Sequence, residues 1–452
     1  MGTRENEQPP LWVATSDLPS SPGHPFYTRL NAMLEAEEFD RFVEGQCRRF
    51  YAPVMGRPGL EPGRYFRLLM IGYFEGIDSE RGIAWRAADS LAVRGFLRLG
   101  LEDAAPDHST ISRFENRVGT HALYAMGRAL AVSVIDRHRQ RLHGRARRIT
   151  IDLDPTDDPT HGAQQLTFFN GHYDCWCYLP LLAFLTFNDE VEQYLCAAIL
   201  RPGNASAARG ARGTLCRLLA VLRVAFPRAR FLVRLDGGFA TPEIFDFLDA
   251  EPGLDYVVAM GENAVLTRCA EPAMVDARTQ SDASGQTEHV YTEARYAAGT
   301  WAHARRVVIK AEVVRLPGRD PRDNPRFVVT NLRPSSRFVY EQVYCARGDI
   351  ENRIKELHDG LQLGRTSCGR FWANQLRVLL TAAAFVLMQE LRLRAARTAC
   401  ARTQVTGLRE RLLKLGVQVV VSVRRIVLHL PTSTPDLNAW RHIALALGAR
   451  TG

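Results

Sequence analysis

The chain has 452 residues, too long for one simple core, and this points to two to four structural units. Hydrophobic residues at 46% and charged residues at 24% fit a soluble globular protein, and nine scattered cysteines without a Cys-x-x-Cys pair argue against a disulfide framework or a zinc ribbon. The net charge of +9 rests on 58 Lys+Arg against 49 Asp+Glu, nearly all of the basic side being arginine, whose planar guanidinium suits a polyanionic partner.

Residues 1–25 are rich in Pro, Ser and Gly and read as a loose lead-in without the apolar core of a signal peptide. Residues 26–140 read as helical. Tyr65, Leu68, Leu69, Gly72 and Tyr73 share one helical face, and Ser79 and Ser90 look like N-caps. Residues 106–117 form a capped helix whose outer face carries Arg113, Asn116 and Arg117; it suits a DNA groove and equally an ordinary solvated helix.

A second region, 147–261, reads as strands at 149–153, 178–187, 194–200, 231–235 and 255–260, with helices at 207–226 and 242–250. That order implies a mixed sheet covered by helices, an α/β fold. Residues 262–339 change character to β-rich stretches at 306–314 and 327–331 and read as an insertion. Helix returns at 340–358 and 371–396, and 397–452 form a C-terminal region with a strand pair near 417–430 and a last helix. The longest apolar run, 378–388, is too short to cross a bilayer, so no membrane association and a cytoplasmic location are expected.

Three places carry candidate chemistry. Asp154 ends the strand 149–153, where a side chain leaves the sheet for a cleft, and Asp152 points to the same face. Asp157 and Asp158 follow in an Asp/Pro-rich turn that could cap itself; Asp152 is expected to matter less than Asp154. Asp236 repeats the geometry in front of Gly237 and Gly238, which permit close backbone approach or a positive φ, although a tight Asp-Gly turn needs no further reason. The third place is a helix. At about 100° per residue, Tyr344, Arg347, Glu351, Lys355 and His358 fall on one stripe, while Asp349 and Glu356 lie elsewhere. Taken alone, that stripe reads as a solvated salt-bridge face with a Glu351–Lys355 pair. Together, two strand-end aspartates and a helical glutamate offer hard oxygen ligands for Mg2+ or Mn2+ and in-line phosphoryl transfer.

These residues stand in a recognisable series: Asp152-Leu153-Asp154-Pro155-Thr156-Asp157-Asp158-Pro159, Phe168-Phe169-Asn170-Gly171-His172-Tyr173-Asp174, Leu200-Arg201-Pro202-Gly203-Asn204, Leu235-Asp236-Gly237-Gly238-Phe239, Asn324 to Leu332, and Tyr344 to Glu356. From about residue 105 onward the chain resembles DDE insertion-sequence transposases with an RNase H-like core, in particular the insertion-sequence thirteen-eighty group. The resemblance implies Asp154, Asp236 and Glu351 as catalytic and metal-binding residues, with Mg2+ or Mn2+ as cofactor. It implies Tyr344 and Arg347 as the start of a Tyr-Arg-Glu-Lys signature whose lysine position holds His358, with Lys355 as a substitute. It also implies a β-rich insertion that holds DNA, with Trp301 as a candidate for stacking on an unpaired base or for simple packing. The partners implied are double-stranded transposon ends and target DNA, bound by a homodimer in a synaptic complex associated with a bacterial nucleoid. A metal-dependent nuclease without strand transfer and a catalytically silent DNA-binding regulator stay open beside a transposase.

Overall fold

The computed structural model describes residues 25–36, 38–51, 59–77, 79–115, 118–421 and 426–446, and the chain divides into two units at Arg117 and Val118. The first unit is helical: α1 (Pro25–Ala36), α2 (Phe39–Cys47), α3 (Pro62–Glu75), α4 (Glu80–Asp89), α5 (Leu91–Phe96) and α6 (His108–Glu115). Ser79 accepts from Gly82 N at 3.0 Å and Ser90 from Val93 N at 3.3 Å, so both predicted caps form. Tyr65, Leu68 and Ile71 of α3 lie at the centre of this unit's core. The buried Arg67 on the same helix is neutralised by Asp40. Asp107 opens α6 by accepting from Ser109 N at 2.9 Å. Ile111 and Phe114 turn inward, Phe114 stacking on Tyr65 at 3.9 Å, and this leaves Arg113 exposed. Asn116 and Arg117 lie outside the described residues.

The second unit begins with α7 (Thr120–Arg141) and β1 (Arg148–Pro155). A small sheet of β2 (Asp158–Pro159), β3 (Phe168–Asn170) and β4 (Cys175–Tyr178) follows, and then β5 (Leu181–Phe187) and β6 (Tyr194–Ile199). Next come α8 (Ala211–Ala225), β7 (Arg230–Leu235), α9 (Pro242–Ala250), β8 (Leu254–Met260) and α10 (Ala264–Ser284). The main sheet contains the order β6-β5-β1-β7-β8, in which β1, β7 and β8 run parallel and β5 runs antiparallel to both of its neighbours, β1 and β6. This is the RNase H-like arrangement that the resemblance implies.

The sheet then continues beyond β8. The strands β9 (Glu288–Tyr296), β10 (Arg305–Val314), β11 (Arg322–Asp323) and β12 (Arg326–Thr330) add to that edge through a β8–β12 pair. Residues 262–339 therefore extend the core sheet, and they open with a 21-residue helix where the sequence reads β-rich. Asn263 caps that helix and Gly285 closes it at φ 68°, but Pro272 inside it hides the helical pattern. The predicted strand 178–187 is likewise two strands in different sheets, because Pro180 offers no N–H to continue a ladder.

Alternation along β1 sends Ile149, Ile151 and Leu153 into the core beneath α7–α10, and Thr150, Asp152 and Asp154 to the opposite face. That face is covered by a helical run over 336–360 and by α13. The run comprises α11 (Ser336–Phe338), a π-helical turn (Val339–Tyr344), a 3-10 turn (Cys345–Gly348), α12 (Asp349–Lys355) and a second π turn (Glu356–Gly360). α13 (Phe371–Arg394) is long and apolar enough to cross a membrane by length and composition, yet it packs as a core helix against β6 and α7. Its Gln375 accepts from Leu200 N at 2.7 Å and donates to Ala198 O at 3.2 Å; Gln389 accepts from Leu195 N at 3.0 Å and donates to Gln193 O at 2.6 Å. The two amides thus engage backbone groups along the open edge of β6, which disfavours further strand pairing there. The chain ends with α14 (Val405–Leu408), the predicted strand pair β13 (Gln418–Val421) and β14 (Ile426–His429), and α15 (Leu437–Ala446).

Candidate active site

β1 and β7 are neighbours in parallel, with Asp152 opposite Arg234 in the register. Asp154 and Asp236, two residues further along each strand, thus reach the same end of the sheet on adjacent strands, which lie about 4.8 Å apart. Asp236 stands just past Leu235, the last residue of β7, and its Oδ1 accepts from Gly238 N at 2.8 Å. Of the two reasons the sequence offers for the glycine pair, close approach is the operative one: a Cβ on Gly238 would lie 2.7 Å from the Ala207 Cβ, and neither glycine has positive φ.

One guanidinium spans the two aspartates. Arg347 Nη2 donates to Asp154 Oδ1 at 2.7 Å, to Asp236 Oδ2 at 3.4 Å and to Leu153 O at 3.4 Å. Arg347 is buried and its Nε has no hydrogen-bond partner. Burial pushes the Asp154 carboxyl up to about 7; Arg347 opposes the rise, and the charges of Asp236 and Glu351 add to it. Glu351 is thus electrostatically part of the site, although its own side chain is exposed. Among the described residues no group of three His, Cys, Asp or Glu side chains is drawn close enough to hold a metal ion. The donor set nevertheless fits a hard divalent cation, because Asp154 and Asp236 offer carboxylate oxygens at the same end of adjacent strands and the charge of Glu351 acts on Asp154.

The predicted stripe does not survive as one face. Its members differ in exposure: Arg347 is buried, Tyr344 and His358 are half-buried, and Glu351 and Lys355 face solvent, with no ion pair between these last two among the described residues. Tyr344 packs on Tyr340 with ring centroids 5.6 Å apart. His358 Nε2 lies 3.0 Å from Thr156 Oγ1, linking the far end of the helical run to the chain just after Asp154. The run is anchored by a buried charge network: Glu356 pairs with Arg392 and, at 2.6 Å, with Arg353, while Glu192 accepts from Arg392 at 2.8 Å.

Trp301 does not present a free ring. It packs against Phe245 at 4.8 Å and Tyr296 at 5.4 Å, with the Arg305 guanidinium 4.9 Å from its centroid. This is the packing alternative that the sequence leaves open for Trp301. Sequence reasoning missed Tyr173, in the turn between β3 and β4. Burial pushes its hydroxyl up to about 12, and Asp154, Asp157 and Asp236 add to the rise, which puts it beside the two aspartates. The only signal for it was its position inside a matched stretch. Arg201, in another such stretch, is buried and donates to the carbonyls of Leu179, Ser206, Ala207 and Arg209, folding the loop between β6 and α8.

The profile of a family described as "Transposase DDE domain group 1" matches residues 84–450 of this chain. The chain belongs to the DDE transposase family. A second family, described as a transposase domain, matches residues 16–117. The protein is therefore a metal-dependent enzyme of phosphoryl transfer on DNA, acting in DNA transposition. Among curated proteins no sequence matches the chain. Among solved structures, the Mos1 transposase paired-end complex with the left transposon end is similar at 12% identity and a TM-score of 0.16, over 54% of this chain and 71% of that one. A pre-cleavage Mos1 transpososome is similar at 10% identity and a TM-score of 0.17, over 75% and 81%. The fold of this transposase rests on its own strand order and not on those likenesses.

Proposed function

We propose that Asp154, Asp236 and Glu351 are the catalytic and metal-binding residues with which this transposase cleaves the terminal inverted repeats of an insertion sequence and joins them to target DNA. The observation that carries this reading is the placement of Asp154 and Asp236 at the same end of adjacent parallel strands, both bonded to one guanidinium, with the charge of Glu351 acting on Asp154. Mg2+ or Mn2+ is the ion that such oxygen ligands favour. Held by these carboxylates, such ions would supply activation of a water or a 3′-hydroxyl and stabilisation of the leaving oxygen in an in-line displacement. Around them Arg347 and Tyr344 supply a cation and a phenol for the phosphate next to the scissile bond, and Lys355 offers an exposed cation to the backbone. Arg113, with Asn116 and Arg117, is assigned to the terminal repeat. Function in a homodimeric synaptic complex on nucleoid DNA completes the reading.

The test is Asp154→Asn, Asp236→Asn and Glu351→Gln, assayed on labelled ends with target DNA. Each variant should lose cleavage and joining by a thousandfold or more, on the order of 4 kcal/mol of barrier, and still bind ends. Asp349→Asn, an exposed carboxylate on the same helix, is the control. Strand transfer near the parental rate by any of the three variants would overturn the triad. Cleavage without joined product by the parent would make it a nuclease.

A further inference from the structure

We propose that Arg347 and a divalent cation compete for the same carboxylate oxygens of Asp154 and Asp236, so that the guanidinium holds the two aspartates in place until the cation displaces it. The inference rests on the reading of these aspartates as metal ligands, and it concerns what their arginine does before the metal binds.

Two buried arginines meet aspartates on this face of the sheet, and they are built differently. Arg234 gives Nε and Nη2 to the two oxygens of Asp152 at 2.8 and 2.7 Å and Nη1 to Val343 O at 3.1 Å. Both oxygens and every nitrogen of that pair are engaged, as a permanent structural contact requires. Arg347, one step along the same strands, reaches Asp154 and Asp236 through a single nitrogen, and its buried Nε is left without a partner. The unsatisfied Nε is a donor that an acceptor outside this pocket would satisfy, which offsets part of the cost of breaking the pair. The guanidinium also occupies the oxygens that a cation would need. Asp154 Oδ1 and Asp236 Oδ2 accept from Arg347, and Asp236 Oδ1 accepts from Gly238 N; among the described residues, only Asp154 Oδ2 has no protein partner.

The local backbone is suited to release. Arg347 lies in the 3-10 turn Cys345–Gly348, directly after the π turn Val339–Tyr344. Such turns carry fewer well-formed bonds than α-helix and often mark sites that move. Gly348 has open space where a Cβ would stand, so nothing packs against the backbone there. Glu351 follows one turn later and is exposed in this arrangement. The freed guanidinium has an obvious new partner in a DNA phosphate, which couples metal and DNA binding in the same direction.

The experiment is Mn2+ titration of the full chain without DNA, at about pH 8, followed by calorimetry or by the loss of the free-ion electron paramagnetic resonance signal. Arg347→Ala removes the competing charge and should tighten Mn2+ binding by about tenfold or more. Arg347→Gln, which keeps most of the volume, serves the same purpose if the alanine variant unfolds. Mn2+ binding no tighter in either variant than in the parent overturns the competition. The double variant Asp154→Asn/Arg347→Ala should lose the tightened site. A double variant that keeps it shows instead that the aspartates are not the ligands, a failure of the underlying reading that is distinguishable from failure of the competition alone.

Discussion

Arg234 and Asp152 form a two-pronged ion pair at 2.7 and 2.8 Å in which Asp152 has no exposed surface. It joins β1 to β7, and through Val343 O it holds the helical run that carries Arg347. Asp152 is thus not the lesser neighbour of Asp154 that the sequence suggests, but a structural residue. Asp152→Ala leaves a buried cation unpaired and should cost about 3–5 kcal/mol in urea or thermal unfolding, with loss of both DNA binding and cleavage. Asp152→Leu combined with Arg234→Met should recover most of the stability. A melting curve for Asp152→Ala within about 1 kcal/mol of the parent would show that the pair does not matter.

Asp158 gives a stability signal of its own. It is fully buried, with Thr366 Oγ1 2.7 and 2.9 Å from its two oxygens. Burial pushes its carboxyl up to about 7; Thr366 opposes the rise and Asp157 adds to it. Because the folded value exceeds the unfolded one, the stability this group contributes is fully present below about pH 4 and is lost as the pH climbs through about 7. Asp158→Asn removes the cost of ionisation and keeps a hydrogen-bonding group. It should stabilise the protein more at pH 8 than at pH 5, by on the order of 2 kcal/mol. An equal effect at both pH values would mean that Asp158 ionises freely in the folded protein.

The strand-end aspartates were legible because short apolar runs define strands and the residue at their end faces a cleft, although Asp236 alone reads equally as part of an Asp-Gly turn. The order of those strands followed from the resemblance, and the register then set the two carboxylates side by side. What the sequence hides is pairing at a distance. Nothing near Asp152 indicates that Arg234 will neutralise it, since that depends on the parallel register of two strands. A uniform helical wheel puts Arg347 and Glu351 on one stripe but carries no information on burial: contact with the strand-end aspartates buries the arginine, while the glutamate stays exposed. Tyr173 sits in a turn, where no periodicity marks a side chain as functional.

His358 occupies the place of a signature lysine, and its surroundings favour a different job. Burial holds its imidazole below the usual range, against the pull of Asp157 and Asp359, which favours the neutral ring and suits the Thr156 contact rather than a phosphate. Lys355 is exposed, and the proposed function assigns it the contact with the DNA backbone. Lys355→Ala should lower the slope of binding against salt by about one counterion. His358→Ala should leave that slope unchanged and slow cleavage by loosening the end of the Glu351 helix. A reduced salt slope for His358→Ala would return the phosphate role to it.

Recognition of the ends is best sought in a fragment whose boundary follows the packing. The first unit ends at Arg117 and encloses its own core of Tyr65, Leu68, Ile71, Phe96, Ile111 and Phe114. α7 belongs to the other unit, where Ala131, Val134 and Ile135 pack beneath the sheet and Leu123 meets Leu376 and Leu379. A fragment cut near residue 140, as the helical pattern alone invites, would expose that apolar face and aggregate. Residues 1–117 should unfold cooperatively and bind end DNA, with affinity falling steeply as salt rises, because phosphate contacts release counterions. Arg113 stands on the outer face of α6, opposite the Ile111 and Phe114 anchors, so Arg113→Ala should narrow the preference for end over random DNA by about 1–3 kcal/mol without moving the melting temperature. A fragment that folds yet binds end and random duplexes equally would assign end recognition to the second unit, and Arg113 would then be an ordinary solvated side chain.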